Sequence, residues 1–338
     1  MLLQQRKVFN PLGDDTVSER KLIGGNSTGI ANLNSVKYTW ASKLYQIMLN
    51  NFWIPQKVSL VDDKTTIKNL TEHELEAFKN TLSFLIALDS MQTANLPNLS
   101  AYISAPEVNA LFTIQEFQEQ IHSQSYQYIL QELFPNLQRE EIYDYWRHNP
   151  LLLSRNKTIA NKYQKFVDSP TAENFKVAIA ADFALEGIYF YNGFKFFYQL
   201  ASRNKAVGVS KVIKYIENDE STHVSFMIYL VRDLFNLDDA SDRLILKETL
   251  EEATEAEIEW GKAIYGDNIL GVSEKSTEEY LKYLANQRAK PIGLGALYRG
   301  YNTNPYQYLE DSDKRENFFE TTVTEYSQST AVGGWDDF

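Results

Sequence analysis

The stretch EFQEQIHSQSYQY, Glu116 to Tyr128, decides how the chain is read. A chain with only four histidines sets His122 three residues after Glu119 and four before Tyr126, in a segment with helical character. At 3.6 residues per turn, positions i and i+3 share a face, so Glu119 and His122 can offer an oxygen and a nitrogen to one ion. NDESTHVSF, Asn218 to Phe226, repeats the device with Glu220 and His223. One such pair arises often by accident, as a surface glutamate beside a core histidine. Two pairs among four histidines point to a metal.

The long apolar helices around these pairs predict an all-α protein. Segments with helical spacing follow a loop-like opening that runs through GGNSTG (Gly24 to Gly29), and alternating β-branched runs are few. Thr71 and Glu74 predict a capping box for a helix through AFKNTLSFLIALDSMQ. Pro106 and Glu107 start the helix that holds EQIHSQSY. Ser169 and Pro170 are expected to cap a third, VAIAADFALEGIYFYNGFKFFYQLASR, and a fourth after Gly208 carries KVIKYIENDESTHVSFMIYLV. LILKETLEEATEAEIEWGKAIYG and TEEYLKYLANQR read as outer helices, because their charges are many and their apolar stripes narrow.

Two further carboxylates stand out on these helices. Asp89 follows FLIAL, and Glu186 sits in FALEGIYFYNGF. A buried, unpaired carboxylate is costly, so each needs a proton, a hydrogen bond or a cation. Together the six residues give one carboxylate from each of two helices and a Glu-x-x-His from each of two others, the ligand pattern of ferritin-like di-iron and di-manganese carboxylate proteins. Four carboxylates and two neutral imidazoles balance two divalent ions, and suit iron or manganese better than a thiolate-seeking metal. Tyr126 lies on the same stripe, about 6 Å of axial rise beyond His122. Packing alone also explains a tyrosine there in a chain with 21 of them. Phe190 and Phe194 extend the face of Glu186. His73, in a first helical turn, and His148, beside Asn149 and Pro150, read as ordinary.

Composition narrows the function. A net charge of −12 argues against a general phosphate-backbone binder, so no nucleic-acid partner is expected. Without cysteine there are no disulfides, thiolate metal sites or cysteine nucleophiles. The start, MLLQQRKVFNPLGDD, has no long apolar signal core, and no stretch nears the ~20 apolar residues of a membrane span, which predicts a cytoplasmic protein. The chain reads as one helical domain with an N-terminal arm over 1–319. A flexible tail over 320–338, through ETTVTEYSQSTAVGGWDDF, completes it.

On LDSMQ, EQIHSQSY, LEGIYFYNGF and DESTH, the chain resembles the radical-generating small (beta) subunit of class I ribonucleotide reductase over nearly its full length. The thirty-four residues from Glu186 to Glu220 match that family's spacing. The resemblance implies a ferritin-like long-helix bundle, usually a homodimer, with a dinuclear metal site in its core. It assigns Asp89, Glu119 and His122 to one metal and Glu186, Glu220 and His223 to the other. It makes Tyr126 the holder of a tyrosyl radical, with Phe190, Phe194 and Ile216 as its apolar pocket. Trp53 in NNFWIPQ resembles an electron-relaying tryptophan, Asp219 the carboxylate that joins it to His122, and Tyr326 the tail tyrosine that passes the radical on. Read from the residues alone, Trp53 is equally a packed aromatic and Asp219 a solvated charge.

Under this resemblance the large (alpha) subunit binds the tail and reduces ribonucleotides to deoxyribonucleotides. The metals are iron or manganese, and an activating flavoprotein is a conceivable partner. Tyrosine at 126 favours a tyrosyl radical, since branches with a mixed manganese and iron oxidant have phenylalanine there. The N-terminus is too short for an added nucleotide-binding regulatory module. The rival enzyme reading is a ferritin-like di-metal oxidase or desaturase acting on a lipid-like substrate. It is less consistent with Asp89, where those relatives often have glutamate, and does not require an aromatic tail. A non-enzymatic rival, a ferritin-like metal store, predicts many irons per chain and a cage.

Overall fold

A polar arm leads into α1 (Thr39–Asn50) and a single-turn α2 (Asp63–Thr66), after which long helices take over. The computed structural model describes residues 2–309. The rest of the bundle is α3 (Glu72–Ser100), α4 (Pro106–Leu133), α5 (Asn136–His148), α6 (Pro150–Asp168), α7 (Ala172–Ala184), α8 (Tyr191–Ala201), α9 (Val207–Leu234), α10 (Ala240–Tyr265) and α11 (Glu274–Ala289). Among the described residues there is no strand, only two isolated bridges, Leu2 to Thr171 and Ile23 to Ile103. None of these helices is long and apolar enough to cross a membrane. The all-α expectation holds, while the tail boundary and Tyr326 lie outside the described residues.

Helix starts follow the local chemistry of the sequence, with two adjustments. Thr71 and Glu74 form the expected capping box: Glu74 N–H donates to Thr71 Oγ1 at 3.2 Å and Thr71 N–H to Glu74 Oε2 at 2.9 Å. Pro106 opens α4. Ser169, however, closes α6, and the cap of α7 is Thr171, whose hydroxyl accepts from Asn174 N–H. The link between the two helices is so short that Ser169 is used up by the first. The fourth helix begins at Val207, and Gly208 lies in its first turn, where Asp63 accepts the N–H groups of Gly208 and Val209 at 3.2 and 3.1 Å. A Cβ at position 208 would stand 2.2 Å from Asp63 Oδ2, so this close approach requires glycine.

The third predicted helix is not continuous. Leu185–Tyr189 forms a π turn between α7 and α8, and Glu186 sits inside it. Such a turn displaces backbone partners and commonly marks a functional position. Here Arg288 Nε reaches across from α11 and donates to Gly187 O at 2.9 Å. The core around it is aromatic, with Phe84, Phe183, Phe190, Phe194, Phe197 and Trp260 fully buried. Helix α10 is less peripheral than its charges suggest. It buries Trp260 and Glu257, the latter in an ion pair with buried Arg155, whose guanidinium lies 3.9 Å from the Phe84 ring centre.

Glu74 links the start of α3 to the entry of α9. Besides its capping role it pairs with Arg203 and, at 2.7 Å, with Lys205, and its side chain is 2% exposed. Burial alone would raise its pKa; Lys205, the Thr71 N–H and Arg203 outweigh that and hold it below the ordinary 4.5. A depressed carboxylate stabilises above its unfolded pKa, and the stabilisation is lost as pH falls through the folded value. Glu74→Gln is therefore expected to lower unfolding free energy by about 1–3 kcal/mol at neutral pH. That deficit should shrink as pH falls below the ordinary carboxylate range and through the lowered folded pKa, in urea titrations of the metal-free protein.

Candidate metal centre

Three long helices and the π turn contribute to one buried cluster. Asp89 comes from the middle of α3, Glu119 and His122 from α4, Glu186 from the π turn, and Glu220 and His223 from α9; all six are completely buried. Their ligand atoms fall into two overlapping groups, Asp89, Glu119, His122 and Glu220, and Glu119, Glu186, Glu220 and His223, each within 4.8 Å of one another. The family resemblance divides the six residues three and three between two metals; Glu119 and Glu220 lie in both groups.

The imidazoles face inward through Nδ1. His122 Nδ1 lies 3.2 Å from Asp89 Oδ1, 3.4 Å from Glu119 Oε2 and 3.1 Å from Glu220 Oε1. His223 Nδ1 lies 3.2 Å from Glu119 Oε1, 3.3 Å from Glu186 Oε2 and 3.0 Å from Glu220 Oε2. One N–H cannot serve three oxygens. Asp89 Oδ2, both oxygens of Glu119 and Glu220 Oε1 have no hydrogen-bond partner although they are buried. Six hard oxygen and nitrogen donors, with oxygens left over around two inward-facing nitrogens, fit a pair of divalent ions of the iron or manganese type.

Outward-facing atoms fix that orientation. His122 Nε2 lies 3.2 Å from Asp219 Oδ2, which also accepts the Trp53 indole N–H at 2.8 Å. His223 Nε2 donates to Gln118 Oε1 at 3.0 Å, and Gln118 Nε2 donates to Asp219 Oδ1 at 3.1 Å. Donation through Nε2 leaves Nδ1 to face the cluster, the usual logic of a metal-binding histidine. Glu186 Oε1 accepts from Gln115 Nε2 at 2.8 Å and from Gln92 Nε2, so only Oε2 turns toward His223. Gln92 is oriented in turn by Asp182, which accepts from its amide, and by the Tyr163 hydroxyl, 2.7 Å from its carbonyl.

Electrostatics show what the cluster lacks. Burial pushes Asp89 well above the carboxylate range, and it does the same to Glu186 with help from Glu220 and Glu119. Burial opposes charge on His122 and His223, but the surrounding carboxylates outweigh it and hold both well above the usual histidine range. Without ions, protons supply the missing positive charge. Tyr126, completely buried, has a hydroxyl with no hydrogen-bond partner. Burial, then the charges of Asp89 and Glu220, raise its pKa well above 10.0 and keep it protonated. Phe190, Phe194 and Ile216 are completely buried, and the Phe190 and Phe194 rings stack at 5.9 Å.

Comparison with known proteins agrees with this geometry. Residues 30–305 match the family described as Ribonucleotide reductase, small chain. The chain belongs to that family. A ribonucleoside-diphosphate reductase subunit beta from Treponema pallidum is 40% identical over 342 residues, which cover 98% of this chain and 97% of the relative. The corresponding subunit of Halalkalibacterium halodurans is 36% identical, with 99% of both chains covered. The ribonucleotide reductase R2 subunit of Clostridium botulinum superposes with a TM-score of 0.89 at 41% identity, over 92% of this chain and 99% of its own. The chain is thus a class I ribonucleotide reductase small subunit, an oxidoreductase component with a ferritin-like bundle and a candidate dinuclear centre.

Sequence reasoning singled out all six clustered residues, Tyr126, Trp53 and Asp219. It missed the amides Gln92, Gln115 and Gln118, because a glutamine next to a ligand carries no mark in one sequence. Asp182 had a mark: it is a lone acid in the apolar run VAIAADFAL, the same signal that selected Asp89 and Glu186. His73 and His148 are exposed and lie outside the cluster. Gln118 yields a test, since it hydrogen-bonds both His223 and Asp219. Gln118→Leu is expected to weaken Mn(II) binding by about 10–100-fold in equilibrium titrations, with the helical content unchanged.

Proposed function

We propose that this small subunit uses a dinuclear iron or manganese centre to form a tyrosyl radical on Tyr126. The oxidising equivalent then passes to the large subunit, where ribonucleoside diphosphates are reduced to deoxyribonucleotides. What supports this most is the completely buried, unpartnered phenol of Tyr126 on the helix face that also carries Glu119 and His122. Asp89, Glu119, His122, Glu186, Glu220 and His223 would hold the ions, with Glu119 and Glu220 shared between them. A bound pair of redox-active ions supplies the oxidising equivalent by reaction with dioxygen or a species derived from it.

The residues then have separable tasks. Tyr126 is neutral before oxidation, so its proton leaves together with its electron, and Asp89, the carboxylate that acts on it most strongly, is the acceptor on this reading. Phe190, Phe194 and Ile216 exclude water and small reductants. Transfer outward runs from His122 through Asp219 to Trp53, along contacts of 3.2 and 2.8 Å. Tyr326, in the tail beyond the described residues, would carry the equivalent to the large subunit. The tail, residues 320–338, would bind that subunit, and the small subunit would act as a cytoplasmic homodimer. An activating flavoprotein is a further partner this reading allows.

Electron paramagnetic resonance tests the radical assignment. Protein loaded with iron or manganese and exposed to the oxidant should give an organic radical signal. Tyr126→Phe should lose that signal while keeping two metals per chain. An unchanged organic signal in the variant refutes the role of Tyr126.

A further inference from the structure

We infer that Arg155 is an electrostatic guard: its guanidinium, set against Phe84, Tyr189 and Trp260, keeps the oxidising equivalent of the metal centre from escaping through the aromatic core toward α10. This rests on the radical chemistry proposed above and concerns where the equivalent does not go. The rings form a way out. Tyr189 ends the π turn that carries Glu186, and Phe84 lies five residues before Asp89 on α3. Phe84 meets Tyr189 at 6.4 Å between ring centres and Trp260 of α10 at 5.6 Å, and all three rings are buried. Of the three, the indole gives up an electron most readily. Without a guard, one electron would pass from Trp260 to the oxidised centre, reducing it by one equivalent and leaving an indole cation radical in place of the Tyr126 radical.

Arg155 opposes that step. Its guanidinium carbon lies 3.9 Å from the Phe84 ring centre and 5.2 Å from those of both Tyr189 and Trp260. A cation there stabilises the neutral rings. Removing an electron from one of them would set a second positive charge beside the first, in a buried site where repulsion is weakly screened. Glu257 does not cancel the effect. It meets Nη2, while Nε and Nη1 have no hydrogen-bond partner. Burial also pushes Glu257 up to about 8 against the pull of Arg155, whereas a guanidinium keeps its proton. The exit proposed above has the opposite sign. Trp53 gives its indole N–H to the Asp219 carboxylate at 2.8 Å, which favours positive charge on that ring. One indole is flanked by an anion and the other by a cation, so the equivalent is steered to the first.

The test removes both charges together, Arg155→Met with Glu257→Gln, so that neither is left buried alone. The full-length variant is loaded with iron or manganese, checked for native helical content and two metals per chain, and exposed to the oxidant. It should form at most one third of the native Tyr126 radical. Freeze-quench electron paramagnetic resonance should show a transient tryptophanyl signal that narrows when the indoles are ring-deuterated. Adding Trp260→Phe should remove that signal and return the Tyr126 radical to within twofold of native. A native Tyr126 yield without a tryptophanyl signal in the double variant overturns the inference, as does a tryptophanyl signal that survives Trp260→Phe. Glu257→Gln alone keeps the cation and decides the matter where the double variant does not fold: a native yield without a tryptophanyl radical is expected, and a radical on Trp260 overturns the inference. Failure of the Tyr126 assignment is seen separately, because Tyr126→Phe then keeps the organic signal with Arg155 and Glu257 both in place.

Discussion

Four carboxylates confined to one dry volume are the constraint on which the rest of this structure depends. At an effective dielectric constant of about 20, two unit charges 4 Å apart repel by roughly 4 kcal/mol. Asp89, Glu119, Glu186 and Glu220 are all completely buried. A fold cannot keep such a set unless positive charge is fixed among them. His122 and His223 stand at the centre of that problem, each with an Nδ1 within 3.0–3.4 Å of three carboxylate oxygens. Protons on these groups satisfy the charge only in part, since four carboxylate oxygens remain without hydrogen bonds. Two divalent ions satisfy both charge and coordination.

The bundle answers this demand with stiffness. Pairs spaced i, i+3 on α4 and α9 need only helix geometry to converge, while Asp89 and Glu186 depend on how α3 and the π turn are seated. Each is held from outside. The capping box at Thr71 and Glu74 fixes the start of α3, and Arg203 and Lys205 tie it to the segment leading into α9. Arg288 accommodates the π turn by donating to Gly187 O. Gln118 then couples the two histidine-bearing sides, since His223 donates to its carbonyl and its amide donates to Asp219. A displacement of either long helix is therefore felt at both imidazoles.

How much of this was legible in the sequence follows from the kind of interaction. Periodicity reveals residues that share a helix face, so Glu119, His122, Tyr126, Glu220 and His223 could be grouped by spacing alone. Misplaced polarity reveals residues that must be compensated, which exposed Asp89 and Glu186. Neither signal reaches contacts made across the bundle by ordinary polar side chains. Gln115 meets Glu186, and Gln92 meets both Glu186 and Asp182, only because three helices pack together. The π turn was invisible for a related reason. Its cause is tertiary, and the run from Ala172 to Ala201 has the composition of an unbroken helix. The burial of Glu257 likewise required knowing that Arg155, about a hundred residues earlier, would sit against it.

A buried oxidant creates a second tension, between keeping a radical and delivering it. Complete burial of Tyr126, with no hydrogen-bond partner for its hydroxyl, suits storage, because no solvent proton reaches the phenol. The same isolation prevents any external group from touching it. On the proposed reading, delivery therefore has to leave through the metal-side residues rather than through the apolar wall. Asp219 contacts His122 and Trp53 through Oδ2 and Gln118 through Oδ1, so one carboxylate oxygen faces both rings and can respond to charge on either without moving. A carboxylate in that position lowers the cost of a transient positive charge on the indole and on the imidazole, where an apolar residue of the same size would raise it. Storage and release are thus assigned to opposite kinds of environment.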